Sequence, residues 1–425
     1  MNSFSPSSSE SFHPSEIKES FSEAFLDTSS VRDTLPEQHR THFDELRKSI
    51  LAFCHEFKIP VETLRSKEAF GAELNSKKIP QERMQEAVSL FARLEHLVTH
   101  KELLKETLPE HLREIERLYH LTEQYHSQVS LLEQVGILKE GAITGIDGNK
   151  YAIPTLEQIA SCLLERESEL YTKRDQGFTK LLLVPFGMSL DALCKILKQF
   201  LLSYKQSHPT FDLDINDPLY TWKEGYEGAD IGDPPKIVYN PKSFDPKNHQ
   251  GQTKRQILEE QVDNQDLSSF PGWRIHLLQP SNLQDNNSTL PKGFALIPRQ
   301  GQGQDHGKET PRHDLEANKT PIQYLSTLQK AQDDPTSPYF QESGLTPEDW
   351  IIAFMTHLQE TGQTLDNHVT GKESIIYLIG SFFPAINSFA LVPFACWSRG
   401  NRPGLDRCDS GSQIENIGVR SSVIV

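Results

Sequence analysis

Long apolar runs are missing from this chain of 425 residues: no stretch has membrane-spanning length, and Met1–Ser30 lacks the hydrophobic segment of a signal peptide. A cytoplasmic protein with no membrane partner is expected. Positive charge is scarce too: 43 Lys and Arg stand against 59 Asp and Glu, a formal net charge of −16. That balance argues against a nucleic-acid partner, which would favour a basic face. The five cysteines Cys54, Cys162, Cys194, Cys396 and Cys408 are odd in number and irregular in spacing, so neither a disulfide framework nor a zinc site is indicated. Histidine is absent from residues 389–425, which leaves that segment without a Ser/His/Asp set. No cofactor and no metal is expected.

Three motifs look like sites and fall short. Asp212, Asp214, Asn216 and Asp217 resemble the start of a calcium loop, but Asp217 stands where glycine is required and Lys223 where a bidentate Glu is needed. Gly301, Gly303 and Gly307 make a glycine-rich run with no phosphate-loop Lys-Ser/Thr after it, so they read as a flexible loop. His96 and His100 are spaced for one helical face, yet nothing adjacent supplies a third ligand.

What is present divides the chain. Eleven serines crowd the first thirty positions, and residues 1–35 read as a disordered tail that buries too little surface to offset its ordering entropy. Residues 36–140 carry helical spacing: a helix over Phe43–Phe57, another after Pro80 (Met84, Val88, Phe91), and a third after Pro109 (Leu112, Ile115, Tyr119, Tyr125, Val129, Leu132). An α-helical hairpin or bundle follows. Two roles are open to it, a stable helical domain or an arm for docking or self-association.

Residues 141–170 read as a connecting helix, capped by Thr155 with Gln158 reaching back. Beyond it, Phe178–Val184, Lys236–Tyr239, Trp273–Leu278 and Phe294–Ile297 are strand-like, and Ser189 is placed to cap a helix over Leu190–Tyr204. Thr320-Pro321-Ile322-Gln323 and Thr346-Pro347-Glu348-Asp349 are two clear helix starts, the second leading a stripe of Trp350, Ile351, Phe354 and Leu358. Short strands among long loops suggest an α+β domain over 171–425.

The closing segment is the most telling. From Cys396 it runs small and polar between the apolar stretches Phe389–Ala395 and Ile417–Val425, and so reads as a solvated loop on a folded scaffold. The last residues alternate as a half-buried strand, with Ile417, Val419, Val423 and Val425 on one face and Arg420 on the other, where a structural ion pair is expected. Gly418 reads as a point of close approach by another backbone or a bulky group. Trp397 is expected in the core.

The string Val392-Pro393-Phe394-Ala395-Cys396-Trp397-Ser398-Arg399-Gly400-Asn401-Arg402, then Leu405-Asp406-Arg407 and Asn416-Ile417-Gly418-Val419-Arg420, resembles the variable region of proteins diversified by diversity-generating retroelements. Upstream segments share the resemblance: Asp175–Lys180, Pro185–Met188, Leu315–Pro321 and Ser343–Trp350. The chain departs from the family pattern at Pro403-Gly404, where Gln-Ala is more usual. The resemblance implies a C-type-lectin-like (formylglycine-generating-enzyme-like) fold over 171–425, with a variable region at about 392–425. In such systems template adenines are randomised, so altered Asn codons never yield Trp, Gln, Glu, Lys or Met.

On that criterion Trp397, Gln413 and Glu415 are fixed or altered by a different codon route, whereas Cys396, Ser398, Gly400, Asn401, Pro403, Asp406, Cys408, Asp409, Ser410, Ser412 and Ile414 are permitted outcomes of diversification. These eleven are the expected ligand-contact residues, with Trp397, Arg399, Gly418 and Arg420 as their frame. The implied function is non-enzymatic display of a hypervariable surface to a macromolecular, protein-like ligand. The alternatives are a formylglycine-generating-type oxidase, using Cys396 and Cys408 if the fold brings them together, and a purely structural interaction protein.

Overall fold

The computed structural model describes residues 31–425 except 34, 36, 66, 78, 81–82, 85–86, 88–89, 92–93, 95–96, 99–107, 264–269, 283–289, 302–311, 371–372 and 385–389. Contacts divide the chain into Met1–Glu106 and Thr107–Val425. No helix among the described residues is long and apolar enough to cross a membrane.

The first unit is helical, with helices at Glu37–Glu56 and Lys67–Ser76. Phe43, Leu46, Ile50, Phe70, Phe91 and Leu94 fill its core, and Phe70 stacks on Phe91 with ring centres 5.0 Å apart. Val31 and Leu35, which composition assigned to the serine-rich tail, are buried in this core. Arg32 of the same stretch pairs with Asp44 at 2.9 Å, whereas residues 1–30, and His96 and His100, lie outside the described residues.

The second unit is mixed α and β with several sheets, and it begins earlier than composition suggested. The helical region expected to run to 140 divides at 106/107, because Leu108, Leu112, Ile115, Tyr119, Tyr125 and Leu132 pack into the second unit's core. The single helix expected after Pro109 is broken at His120, whose φ of 51° lies in the left-handed region, giving Arg113–Tyr119 and Leu121–Gln134.

A four-stranded antiparallel sheet has the order β3 (Lys180–Val184), β6 (Arg274–Leu278), β13 (Ser421–Ile424), β7 (Glu342–Gly344). The outer edge of β3 is closed by two glutamines rather than a strand. Gln124 accepts from Leu181 N (3.0 Å) and donates to Thr179 O (2.9 Å), and Gln128 accepts from Leu183 N (2.9 Å) and donates to Leu181 O (2.7 Å). Their i, i+4 spacing puts both amides on one face of Leu121–Gln134, where each stands in for a strand residue and satisfies an otherwise open edge. Gln128→Leu orphans two buried backbone groups, and a loss of about 2 kcal/mol is expected in urea unfolding. A loss under about 0.5 kcal/mol, the level of an ordinary surface change, would show that water can replace the amide.

A five-stranded sheet follows the order β12 (Ile417–Gly418), β8 (Ile375–Tyr377), β10 (Leu391–Ser398), β11 (Arg402–Asp409), β4 (Tyr220–Thr221). Two small pairs complete the set: β1 (Ala142–Thr144) with β2 (Lys150–Ala152), and β5 (Val238–Tyr239) with β9 (Ser381–Phe382). Phe294–Ile297, expected as a strand, forms none, although Ala295 N donates to Gln279 O.

The helix starts form as their sequences dictate. Thr155, Thr320 and Thr346 each close a capping box with the residue three positions on, and Ser189 accepts from Ala192 N. Trp350, Ile351, Phe354 and Leu358 are all buried on Pro347–Thr361.

The closing strand differs from the half-buried expectation. It splits at Val419-Arg420 between the two sheets, and from Ile417 to Val425 only Ile424 is exposed. Gly418 acts as expected. A Cβ there would lie 2.5 Å from Ile297 Cγ2 and 3.1 Å from the Ala317 Cα.

Candidate binding surface

The segment expected as a loop is a β-hairpin. β10 and β11 pair antiparallel over eight residues each, from Leu391↔Asp409 to Ser398↔Arg402. Asn401, at φ 52°, turns the chain in a left-handed conformation that Asn tolerates. Register sorts the side chains. One face carries Leu391, Pro393, Ala395, Trp397, Pro403, Leu405, Arg407 and Asp409, and the other carries Val392, Phe394, Cys396, Ser398, Arg402, Gly404, Asp406 and Cys408.

Both faces are covered along part of their length. Ala395, Trp397 and Leu405 join the main core, where the Trp397 ring lies 6.1 Å from Phe354 at 10° and 5.5 Å from Phe211. Val392 and Cys396 join a second core with Tyr324, Leu328 and Tyr377. Three of the eleven expected contact residues are therefore inside: Cys396, Pro403 and Ser410 are buried. Cys396 faces the second core, Pro403 lies opposite Trp397, and Ser410 has its N–H on Ala390 O and its carbonyl on Ile322 N.

The other eight reach solvent at least in part. Ser398, Gly400 and Asn401 sit at the hairpin tip; Asp406, Cys408 and Asp409 sit at its open end, followed by Ser412 and Ile414. Arg402 and Asp409 mark the two ends, about 24 Å apart at the usual strand rise. Arg399 is exposed and makes no ion pair among the described residues, so it belongs to the surface and not to the frame.

The frame is built from Asp366. Its carboxylate accepts from Arg420 Nη2 (2.9 Å), Arg420 Nη1 (3.1 Å) and Trp350 Nε1 (2.9 Å), and its carbonyl accepts from Trp397 N (3.1 Å). Arg420 also donates to Ala295 O from Nε (3.2 Å) and Nη2 (2.9 Å). The structural ion pair expected at Arg420 has Asp366 as its partner, and it is buried where a polar strand face was expected.

Two groups around the hairpin were invisible to sequence reasoning. The acidic turn holds the tip: Asn401 Nδ2 donates to Asp212 Oδ2 (2.8 Å), Arg402 pairs with Asp217, and Asp214 N donates to Asn401 O (3.0 Å). These partners lie about 190 residues away in sequence, and the calcium-like spacing was the one hint that Asp212–Asp217 mattered. Trp222, beneath the Arg407 guanidinium at 4.5 Å, marks the open end. Below the tip, Trp397 and Phe211 wall a cleft of about 350 Å³ that also meets Glu373, whose carboxyl burial raises to about 7.

The thiols do not come together. Cys396 opposes Gly404 and Cys408 opposes Val392, a stagger of four residues, or about 14 Å, which no disulfide spans. Burial pushes each thiol up to about 12. Among the described residues no group of three or more His, Cys, Asp or Glu is placed to hold a metal ion. No protein-family model, curated protein or solved structure matches this chain.

Proposed function

We propose that this chain is a non-enzymatic binding protein, the variable target protein of a diversity-generating retroelement. On this reading the second unit is a C-type-lectin-like domain and its β10–β11 hairpin displays the diversified surface to a protein ligand. One observation carries the proposal: besides the side-chain contacts at its tip, the hairpin is moored to the rest of the domain by main-chain bonds that ignore side-chain identity. Asp214 N donates to Asn401 O, Trp222 N to Leu405 O and Ile322 N to Ser410 O, each at or beside a residue that reaches solvent at least in part. A surface held in that way can change residues and keep its shape.

The oxidase alternative needs two thiols that react with each other, and Cys396, which is buried, and Cys408, which is half-buried, are poorly ionised and far apart. The helical unit Met1–Glu106 is assigned to docking or self-association. A monomer mass for the full chain at every concentration in light scattering would remove self-association.

Replacing Ser398, Asp406, Asp409 and Ser412 together by Ala, Thr, Tyr and Arg should leave thermal unfolding nearly unchanged, each change falling within about 0.5 kcal/mol. Ligand selection from a displayed library should change with the same set. A collapse of the fold would show the strip to be structural. The DNA beside the gene supplies the decisive observation: a near-identical repeat differing mainly at template adenines, with a reverse transcriptase nearby, is expected, and a locus holding neither would sink active diversification.

A further inference from the structure

Well away from the hairpin in sequence, a cavity of about 310 Å³ opens between the helix Lys254–Asp263 and the start of β6. Ile257, Phe270 and Ile424 give it apolar walls, and Asn240, Glu260 and Arg274 its polar groups. Arg274 is the unusual member. Its residue is 7 % exposed, its guanidinium carbon lies 3.7 Å from the centre of the Phe186 ring, and burial lowers its pKa.

The nearest acids are committed elsewhere. Glu348 pairs with Lys254 at 2.8 Å and Asp349 lies 3.2 Å from His276, so Glu348 and Asp349 act on Arg274 through charge at longer range. The one hydrogen bond its guanidinium makes among the described residues runs from Nη2 to Asn240 Oδ1 at 3.3 Å. Nε and Nη1 make no hydrogen bond among the described residues, and Arg274 lines the cavity. A nearly buried cation with unused donors on an open cavity is an anion receptor.

The surroundings narrow the anion. A guanidinium presents a planar fork that matches the two oxygens of a carboxylate. Glu260 at the rim, with Glu348 and Asp349 behind, leaves no surplus positive charge for a dianion. The apolar walls call for a hydrocarbon body beside the charged group. We propose that this cavity binds a small monocarboxylate with an apolar body, its carboxylate on Arg274 and its hydrocarbon against Ile257, Phe270 and Ile424.

The test uses the full chain and three probes, benzoate, benzamide and inorganic phosphate, followed by ligand-observed NMR and calorimetry. Benzoate should bind saturably, benzamide at least about tenfold more weakly for want of charge, and phosphate not at all. Arg274→Gln should abolish benzoate binding. Because that variant alters a buried network, Ile424→Trp is the second arm. Ile424 is 40 % exposed at the rim, so the larger ring narrows the mouth without touching Arg274, and benzoate affinity should fall at least about tenfold with unfolding unchanged. Equal binding of benzoate and benzamide, phosphate competing with benzoate, no saturation by about 10 mM, or an Ile424→Trp protein that binds as before would each overturn the proposal.

Discussion

Asp366→Asn is expected to destabilise the chain by about 3–5 kcal/mol, far more than any substitution on the exposed hairpin strip. Asp366 is 1 % exposed and Arg420 7 %, so losing the carboxylate charge leaves a guanidinium desolvated and unmatched. The substitution also weakens the acceptor of the Trp350 indole N–H. The main-chain bond from Trp397 N to Asp366 O does not depend on the side chain, which makes Asn a milder probe than a change that also relaxes the left-handed backbone at φ 55°. Urea unfolding measures the loss. A double variant with Arg420→Met should recover part of it, since removing both charges ends the uncompensated burial. If Asp366→Asn costs less than about 1 kcal/mol, as exposed pairs do, water reaches the pair and the frame behind the hairpin does not rest on its charge.

How much of this was readable beforehand depends on whether the signal was local. The capping boxes at Thr155, Thr320 and Thr346 were, because a cap is decided within four residues. The tight approach at Gly418 was also readable. The hairpin was not. Period-two alternation marks a strand with one wet face, and β10 has Ala395 and Trp397 in one core and Val392 and Cys396 in another, so the alternation is erased. Pro403 and Gly404, ordinary loop residues, sit within β11. Burial of Cys396 follows from that second core, that of Pro403 from its place opposite Trp397 on the other face, and that of Ser410 goes with its backbone bonds. Buried charge was no more legible. Glu348 and Asp349 stand in the first turn of their helix and are fully buried, with Glu348 accepting from Tyr239 OH at 2.7 Å. A sequence does not announce which of its charges will find partners more than a hundred residues away.

Glu342 gives the second large effect. It is 0 % exposed on β7, where Arg312 pairs with it through both nitrogens, Lys173 Nζ lies at 2.6 Å and Ser421 donates to it at 2.5 Å. It thus ties three chain segments to the first residue of β13. Burial alone would raise its carboxyl, but the charges and hydrogen bonds of Arg312 and Lys173 outweigh that and hold it below its ordinary 4.5. Burial also pulls the Lys173 ammonium down, so the permanently charged Arg312 is the stronger partner. A carboxyl depressed in the folded state contributes stability above its unfolded value, and that contribution is lost as pH falls through the folded value. The triad's stabilisation should therefore be complete at neutral pH and fade in the acid range below 4.5. Glu342→Gln keeps the shape but confines two cations with no counter-charge, and a loss of about 3–5 kcal/mol at pH 7 is expected. The loss should shrink as pH falls, because the native carboxyl is then protonated as well. Unfolding midpoints of the two proteins measured from pH 7 to pH 3 should converge. Parallel curves, or a loss below about 1 kcal/mol at neutral pH, would mean that Arg312 and Lys173 are neutralised by something other than Glu342.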